Sequence, residues 1–333
     1  FGQEFHQQKR RRLHAYTSSH PLLRQCKREA GVAAAAELSE SESALKACLL
    51  APPEECSQRE LAEEAARALP GVQMLARRVP CVGASHECPG ISQKSLREAV
   101  ETGKHVSKDI KLPSKDVPRQ YATCALVGNG PGLRVQGLGA VIDAHDAIFK
   151  FNVYNLGQDR PGRMRDNHTD IAGSRTTFRI FNKKRSEAPD VWGLRATSEE
   201  HWLLWHYGST NFYPKLPQYN PKTYFLSPDL LRWEVDAYFQ LRRDLVRLGL
   251  AKEFNCPTNM STGVHAVLAA LQMCGVVNLF GFSYTASMLQ GRADAASPRL
   301  SSSHAWDFDL FLLQILALAR GAQGVPHAHI CTV

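Results

Sequence analysis

The chain contains no run of about 18 or more apolar residues, so no stretch of it reads as a membrane-spanning helix. Its nine cysteines (26, 48, 56, 81, 88, 124, 256, 274 and 331) include no paired C-x-x-C spacing, which removes the usual zinc-ribbon frameworks. An odd count leaves at least one thiol unpaired within a monomer, and spacing alone leaves buried thiols and bridges both open. A basic stripe interleaved with aromatics is also lacking, so the net charge of +8 carries no nucleic-acid footprint. Part of that charge sits in one run, Lys9-Arg10-Arg11-Arg12, whose ordinary reading is a solvated tail.

What the chain does have is enough length and apolar content for one large domain plus an appendage, with 333 residues of which 44% are hydrophobic. It is organised around residues 121–152, YATCALVGNGPGLRVQGLGAVIDAHDAIFKFN. Residues 123–128 read as a short apolar strand, 133–142 carry apolar residues at helical spacing, and 147–151 alternate as a second strand. The turn Gly128-Asn129-Gly130-Pro131-Gly132 lets backbone approach a ligand, and a helix start offers unpaired N–H groups to an anion. The dinucleotide fingerprint needs a third glycine where Leu133 stands, and a P-loop needs Gly-Lys-Ser or Gly-Lys-Thr; both are missing. The glycine spacing fits the first motif of S-adenosylmethionine methyltransferases, but the second strand ends Lys150-Phe151-Asn152 without the acid that a ribose would want. From the turn alone, a nucleotide-type site and a tight structural turn are both open.

CALVGNGPGL followed by GAVIDAHDAIFKFN resembles the large motif of the animal-type sialyltransferases, C-A-V-V-G-N-S-G-x-L and I-D-x-H-D-x-V-x-R-F-N, with Gly130 for Ser and Lys150 for Arg. Further blocks follow in the family's order. Residues 173–182, GSRTTFRIFN, resemble a T-T-x-R strand segment with Ala172 as an insertion. Residues 257–282 resemble the small motif, with Met260-Ser261-Thr262-Gly263 at its head and Phe280 in the usual Tyr position. Ser261 or Thr262 can cap a helix running to Cys274, ahead of a buried-type strand over 276–282. Residues 301–317 resemble the terminal motif, with His304 followed five residues later by Asp309 in place of Glu. The likeness covers roughly residues 120–315.

The resemblance implies an α/β fold, a GT-A-like variant with a mostly parallel sheet flanked by helices in a single catalytic domain over 81–333, behind a stem over 1–80. It implies inverting, metal-independent transfer of sialic acid or a related sugar from a CMP-sugar donor to a glycan hydroxyl on a glycoprotein or glycolipid, with no other cofactor and no nucleic-acid partner. His304 is the general base it assigns, histidine being the side chain that titrates near neutrality. The donor-binding residues it implies are Asn129, Gly130, Asn152, Ser261, Thr262, Gly263 and Tyr284. It ties the two large blocks by a disulfide between Cys124 and Cys274, closing a loop that constrains the unfolded chain by on the order of 4–5 kcal/mol. It also implies residence in the Golgi lumen as a type II membrane protein, with its anchor upstream of Phe1.

Several readings remain beside these. The family's third motif carries a histidine, residues 283–303 carry none, and Tyr284, Arg292 or Arg299 are left to serve a leaving phosphate. That gap and the Ala-rich extension suggest a divergent, non-vertebrate member, and keep a non-catalytic CMP-sugar-binding protein as an alternative beside the methyltransferase. Asp307-Phe308-Asp309 spells a D-x-D, but residues two apart on a helix point in different directions. Residues 31–68, rich in Ala and Glu, are a spacer by composition, with a packed helical extension as the other reading. Residues 201–213, HWLLWHYGSTNFY, are a buried strand with satisfied histidines or an acceptor-sugar platform, and 228–250 is a long amphipathic helix whose one face is core. Asn167-His168-Thr169 satisfies the N-glycosylation rule.

Overall fold

The computed structural model describes residues 26, 37–51, 55–88, 110–128, 133, 137–152, 169–187, 197–206, 209, 212–250, 254–257, 259–282, 304–319 and, as backbone, 327–330. The centre is a sheet of seven strands: β1 (Tyr121–Val127), β2 (Ala147–Phe151), β3 (Phe178–Phe181), β4 (His201–Leu204), β5 (Thr223–Phe225), β6 (Cys274–Phe280) and β7 (His327–Ile330). Their order is β5-β4-β3-β2-β1-β6-β7, and every pairing is parallel. The α/β class with a mostly parallel sheet flanked by helices is therefore what the chain adopts.

Parallel strands need cover on both faces, and their sequences show it. β2, β3, β4 and β5 are buried at every position, as near-continuous apolar runs predict. Alternate residues of β1 serve opposite faces: Cys124 and Leu126 belong to the larger core, Ala125 and Val127 to the smaller. The helices in chain order are α1 (Glu40–Leu50), α2 (Arg59–Ala68), α3 (Pro70–Leu75), α4 (Leu138–Asp143), α5 (Thr169–Ala172), α6 (Lys183–Ser186), α7 (Pro228–Arg247), α8 (Thr262–Leu271) and α9 (Trp306–Leu318). Helices α7, α8 and α9 build the larger core, while α4 and α5 contribute Ile142 and Ala172 to the smaller one.

Local chemistry explains where the helices begin. Ser227 Oγ accepts the Leu230 N–H at 3.1 Å with Pro228 in the first turn of α7, and Ser39 and Glu42 close a reciprocal capping box on α1. Each such cap is worth about 1 kcal/mol. The helix expected over 133–142 is present as α4, from Leu138 only, with residues 134–136 outside the described set.

Within residues 31–68, for which composition favours a spacer, α1 and α2 instead pack into the main core, and α3 follows them there. Leu45, Leu49, Ala62, Ala66, Val72 and Leu75 are all buried there. The pattern understated this because alanines on a short helix bury little area each, and the ties are remote in sequence. Gly71 N–H donates to the buried Asp244 carboxylate of α7 at 2.7 Å, and Trp233 Nε1 donates to the Met74 carbonyl at 2.8 Å. Disulfide Cys48–Cys56 lies within this region, Cys81–Cys88 follows it, and Cys26–Cys256 joins a residue ahead of it to the loop before α8. The expected Cys124–Cys274 bridge is present. Cys331 lies outside the described residues.

Gly71 faces α7 so closely that an added Cβ would stand 2.5 Å from Leu241 Cγ and 2.7 Å from its backbone nitrogen. Gly71→Ala should therefore destabilise the fold by about 1–3 kcal/mol, read as a lower midpoint in urea unfolding at unchanged slope.

Candidate active site

The chain runs outward from β1 to β5 on one side and then returns to place β6 on the other side of β1. At such a reversal the loops leaving neighbouring strands diverge, and open α/β sheets bind ligands in the resulting crevice at the carboxyl ends. At that reversal stand Gly128 after β1 and Gly281 after β6. The two backbones touch: a Cβ on Gly128 would lie 2.7 Å from the Gly281 carbonyl oxygen, and Gly281 itself has φ +67°. Glycine is required at both places by close approach and, at Gly281, by the left-handed backbone.

Helix α8 starts at this crevice. Ser261 caps it, its Oγ accepting the Val264 N–H at 3.1 Å, which leaves the N–H groups of Thr262 and Gly263 outside the helical ladder. Gly263 lies against the Phe282 ring, where an added Cβ would make ordinary contact at 3.4 Å, and Phe282 also abuts Gly128. The glycine turn after β1 and the head of α8, 135 positions apart in the chain, thus share one neighbour. Phe151 at the end of β2 packs edge-on against the same ring, centroids 5.9 Å apart.

Asn152, next in the chain, holds a left-handed φ of +53°. Its Oδ1 accepts the Asn182 N–H at 2.9 Å, which turns the amide NH2 the other way, and its carbonyl accepts from Arg179 at 3.2 Å. Arg179 is in turn paired with the buried Glu200. Lys150, where the family pattern has Arg, is buried beside Arg179 and donates to the Gly173 carbonyl at 2.9 Å; burial lowers its pKa to about 8.

His304 stands just before α9. Its Nδ1 lies 2.8 Å from the Asn259 carbonyl oxygen, in the loop entering α8. A carbonyl only accepts, so Nδ1 carries the proton and Nε2 of the neutral ring keeps its lone pair. Burial, with a smaller contribution from His265, lowers the His304 pKa against the opposing pull of the Asn259 hydrogen bond. The ring is therefore uncharged at neutral pH. Trp306 packs edge-on against it at 5.1 Å.

The D-x-D carboxylates diverge as helix geometry requires. Asp307 accepts the Asn255 N–H at 2.9 Å, while Asp309 is buried and accepts from the Tyr238 hydroxyl at 2.8 Å. Among the described residues the one grouping of metal-type side chains is Cys81, Cys88 and Asp116, and its two sulfurs are already joined as a disulfide.

Of the residues expected at the site, Asn152, Ser261, Thr262, Gly263 and His304 lie along this edge; Asn129, Gly130 and Tyr284 fall outside the described residues, as do Arg292 and Arg299. Three further side chains meet at the head of α8; Trp205 belongs to the 201–213 segment, while His265 and Glu234 were not singled out in the sequence. Trp205, just past β4, donates through Nε1 to Thr262 Oγ1 at 3.2 Å. His265 stacks on that indole, centroids 4.5 Å apart and planes 21° apart. Glu234 of α7 holds His265 Nδ1 at 2.6 Å. Glu234 alone left a local trace, an acid on the apolar stripe with Leu231, Tyr238 and Leu241. His201 was expected to be satisfied in a buried strand; it is buried, yet its Nδ1 has no partner among the described residues.

The reversal point of the parallel sheet thus brings together Gly128 after β1, the capped start of α8 and, through the Asn259 carbonyl, His304. Residues 84–307, about two thirds of the chain, match the family model for glycosyltransferase family 29 (sialyltransferase), and the chain belongs to that family. Among curated proteins it is 29% identical over 181 residues to sialyltransferase-like protein 5 of Oryza sativa subsp. japonica, covering 52% of this chain and 30% of that one. It is 29% identical over 200 residues to the type 2 lactosamine alpha-2,3-sialyltransferase of Rattus norvegicus, covering 52% and 55%. The chain thus spans between about a third and a half of these relatives' own lengths. The crystal structure of a mammalian sialyltransferase is similar at a TM-score of 0.44 and 16% identity, over 89% of this chain and 87% of that one, a likeness too low to inform the site.

Asp309 supplies a test of this edge. Burial, opposed by the Tyr238 hydrogen bond and then by Arg242, pushes its pKa up to about 7, against roughly 3.9 unfolded. Between those values the folded chain keeps a proton that the unfolded chain releases, so this contribution to stability is lost as pH rises from about 4 to 7. Asp309→Asn, which keeps an acceptor for Tyr238, should remove that dependence. The stability of the wild type relative to the variant should fall by on the order of 2–4 kcal/mol across this range in urea titrations at successive pH values.

Proposed function

We propose that the chain transfers a sialic-acid-type sugar from a CMP-sugar to a glycan hydroxyl, inverting the anomeric centre without a metal, with His304 as the general base. The observation that carries this reading is the hydrogen bond from His304 Nδ1 to the Asn259 carbonyl. It fixes the tautomer, so Nε2 is the basic atom, and burial keeps the ring neutral where a base is needed. In the transfer, the acceptor hydroxyl gives its proton to Nε2 while its oxygen attacks the anomeric carbon. The bond from that carbon to the phosphate oxygen breaks, and CMP leaves with the electron pair.

The leaving phosphate gains charge as this happens. The free N–H groups of Thr262 and Gly263 at the head of α8, ten residues long, face the crevice and favour an anion through their own dipoles and the helix's. Asn152, with its NH2 turned outward from Asn182, adds a side-chain donor, while Ser261 holds the head of α8 as its cap. These groups are held before charge develops, which is where such donors are most effective. Asn129, Gly130 and Tyr284 complete the proposed donor set from the resemblance.

Four disulfides suit an oxidising compartment, in keeping with the Golgi lumen. No helix among the described residues is long and apolar enough to cross a membrane.

A panel of nucleotide sugars, with and without EDTA, should show release of CMP alone and no loss with chelator. His304→Ala should lower turnover by about 10²- to 10⁴-fold while CMP affinity holds. The acid limb of kcat/KM should fall below 6.5, because a lowered pKa keeps the base available at lower pH. CMP binding without turnover, unaffected at His304, points to a non-catalytic binder; binding of S-adenosylmethionine but not CMP points to the methyltransferase.

A further inference from the structure

Among the buried ionisable pairs that the mechanism above leaves unused is Glu234 with His265. Glu234 lies in the apolar stripe of α7 with no exposed surface, and His265 occupies the first turn of α8, also buried. Burying a carboxylate in a stripe otherwise filled by Leu, Tyr and Trp costs stability, and one of its oxygens, Oε1, has no partner among the described residues. Burial duly raises the Glu234 pKa. A buried pair of this kind admits few geometries.

The geometry runs in one direction. Glu234 Oε2 fixes His265 Nδ1 at 2.6 Å, the face of His265 carries the Trp205 indole at 4.5 Å, and the indole N–H donates to Thr262 Oγ1 at 3.2 Å. A hydroxyl that accepts from the indole has its own hydrogen left to donate elsewhere. Thr262 is the first residue of α8, so that hydroxyl stands beside a backbone N–H outside the helical ladder.

We propose that Glu234, His265 and Trp205 form a positioning relay that sets the Thr262 hydroxyl as a directed donor to the nucleotide phosphate of the donor substrate. The three are positioning residues, since Thr262 alone touches the ligand. This rests on the reading of the crevice as a CMP-sugar site. The relay joins three elements remote in sequence, the end of β4, the middle of α7 and the start of α8, so the hydroxyl is aimed by the core.

The test is a double-mutant cycle read by calorimetric CMP affinity and by the donor KM. Trp205→Phe keeps the stacked ring and removes the N–H; Thr262→Val removes the hydroxyl at constant shape. Each should weaken CMP binding about threefold to tenfold, with the acceptor KM unmoved, and the double variant should be no weaker than Thr262→Val alone. Glu234→Leu should produce the same donor defect, with Glu234→Gln, which retains an acceptor oxygen for His265, restoring most of it. Full additivity of Trp205→Phe and Thr262→Val overturns the relay, as does a Trp205→Phe protein with wild-type affinity. Should Glu234→Leu fail to fold, the Trp205–Thr262 cycle decides by itself. A wild-type protein that does not bind CMP overturns the donor-site reading itself, an outcome separate from CMP binding with additive effects.

Discussion

The site depends on how β1 and β6 are locked side by side. The two strands are in parallel register from Tyr121 opposite Cys274 to Val127 opposite Phe280, and the Cys124–Cys274 bridge ties the beginning of β6 into β1. Beyond their carboxyl ends the backbones of Gly128 and Gly281 come into contact, so the pair is closed at both extremes. Helix α8 ends only two residues before β6 begins. A helix that turns so tightly into a strand must run antiparallel to it, and its head therefore returns to the strand's carboxyl end. Ser261, Thr262 and Gly263 reach the crevice for that reason, and Asn259, in the same loop, is then where His304 finds its carbonyl.

Charge is handled differently on the two sides of this edge. Toward the crevice the groups are neutral or unpaired donors: a tautomer-fixed imidazole, backbone N–H groups, an amide and hydroxyls. Behind it the core holds ionised or ionisable groups in remote pairings, Arg179 with Glu200, Glu234 with His265, and Arg242 stacked over Phe239, Phe254 and Phe308 while donating to the Phe254 carbonyl. Buried groups of this kind add little net stability, but each admits few geometries. They stiffen the walls that aim the outward donors.

Much of this was legible in the sequence, because it is written locally. The apolar run of β1, the capped start of α8, the amphipathic stripe of α7 and the strand after Cys274 all follow from periodicity and cap chemistry, and the ordered motifs linked Cys124 to Cys274. What escaped is written at long range. The packed helices over 40–75 passed for a spacer since Ala and Glu say little by themselves; their burial depends on Asp244 meeting Gly71, 173 positions away, and on Trp233 meeting Met74. Trp205 and His265 meet only because β4 and α8 end at the same edge, and no period reveals that. Glu234 was visible as an acid among core positions, a departure that asks for a partner without naming one.

All seven strands point their carboxyl ends the same way, and the bonds that secure the opposite end are independent of those loops. There Asp146 accepts from the Thr123 backbone and hydroxyl, Asn278 donates to His145, and Asp143 gathers Ser174 and Arg175. Foundation and rim are thus held by separate sets of bonds, so a substitution around the mouth leaves the anchorage beneath with its own contacts intact.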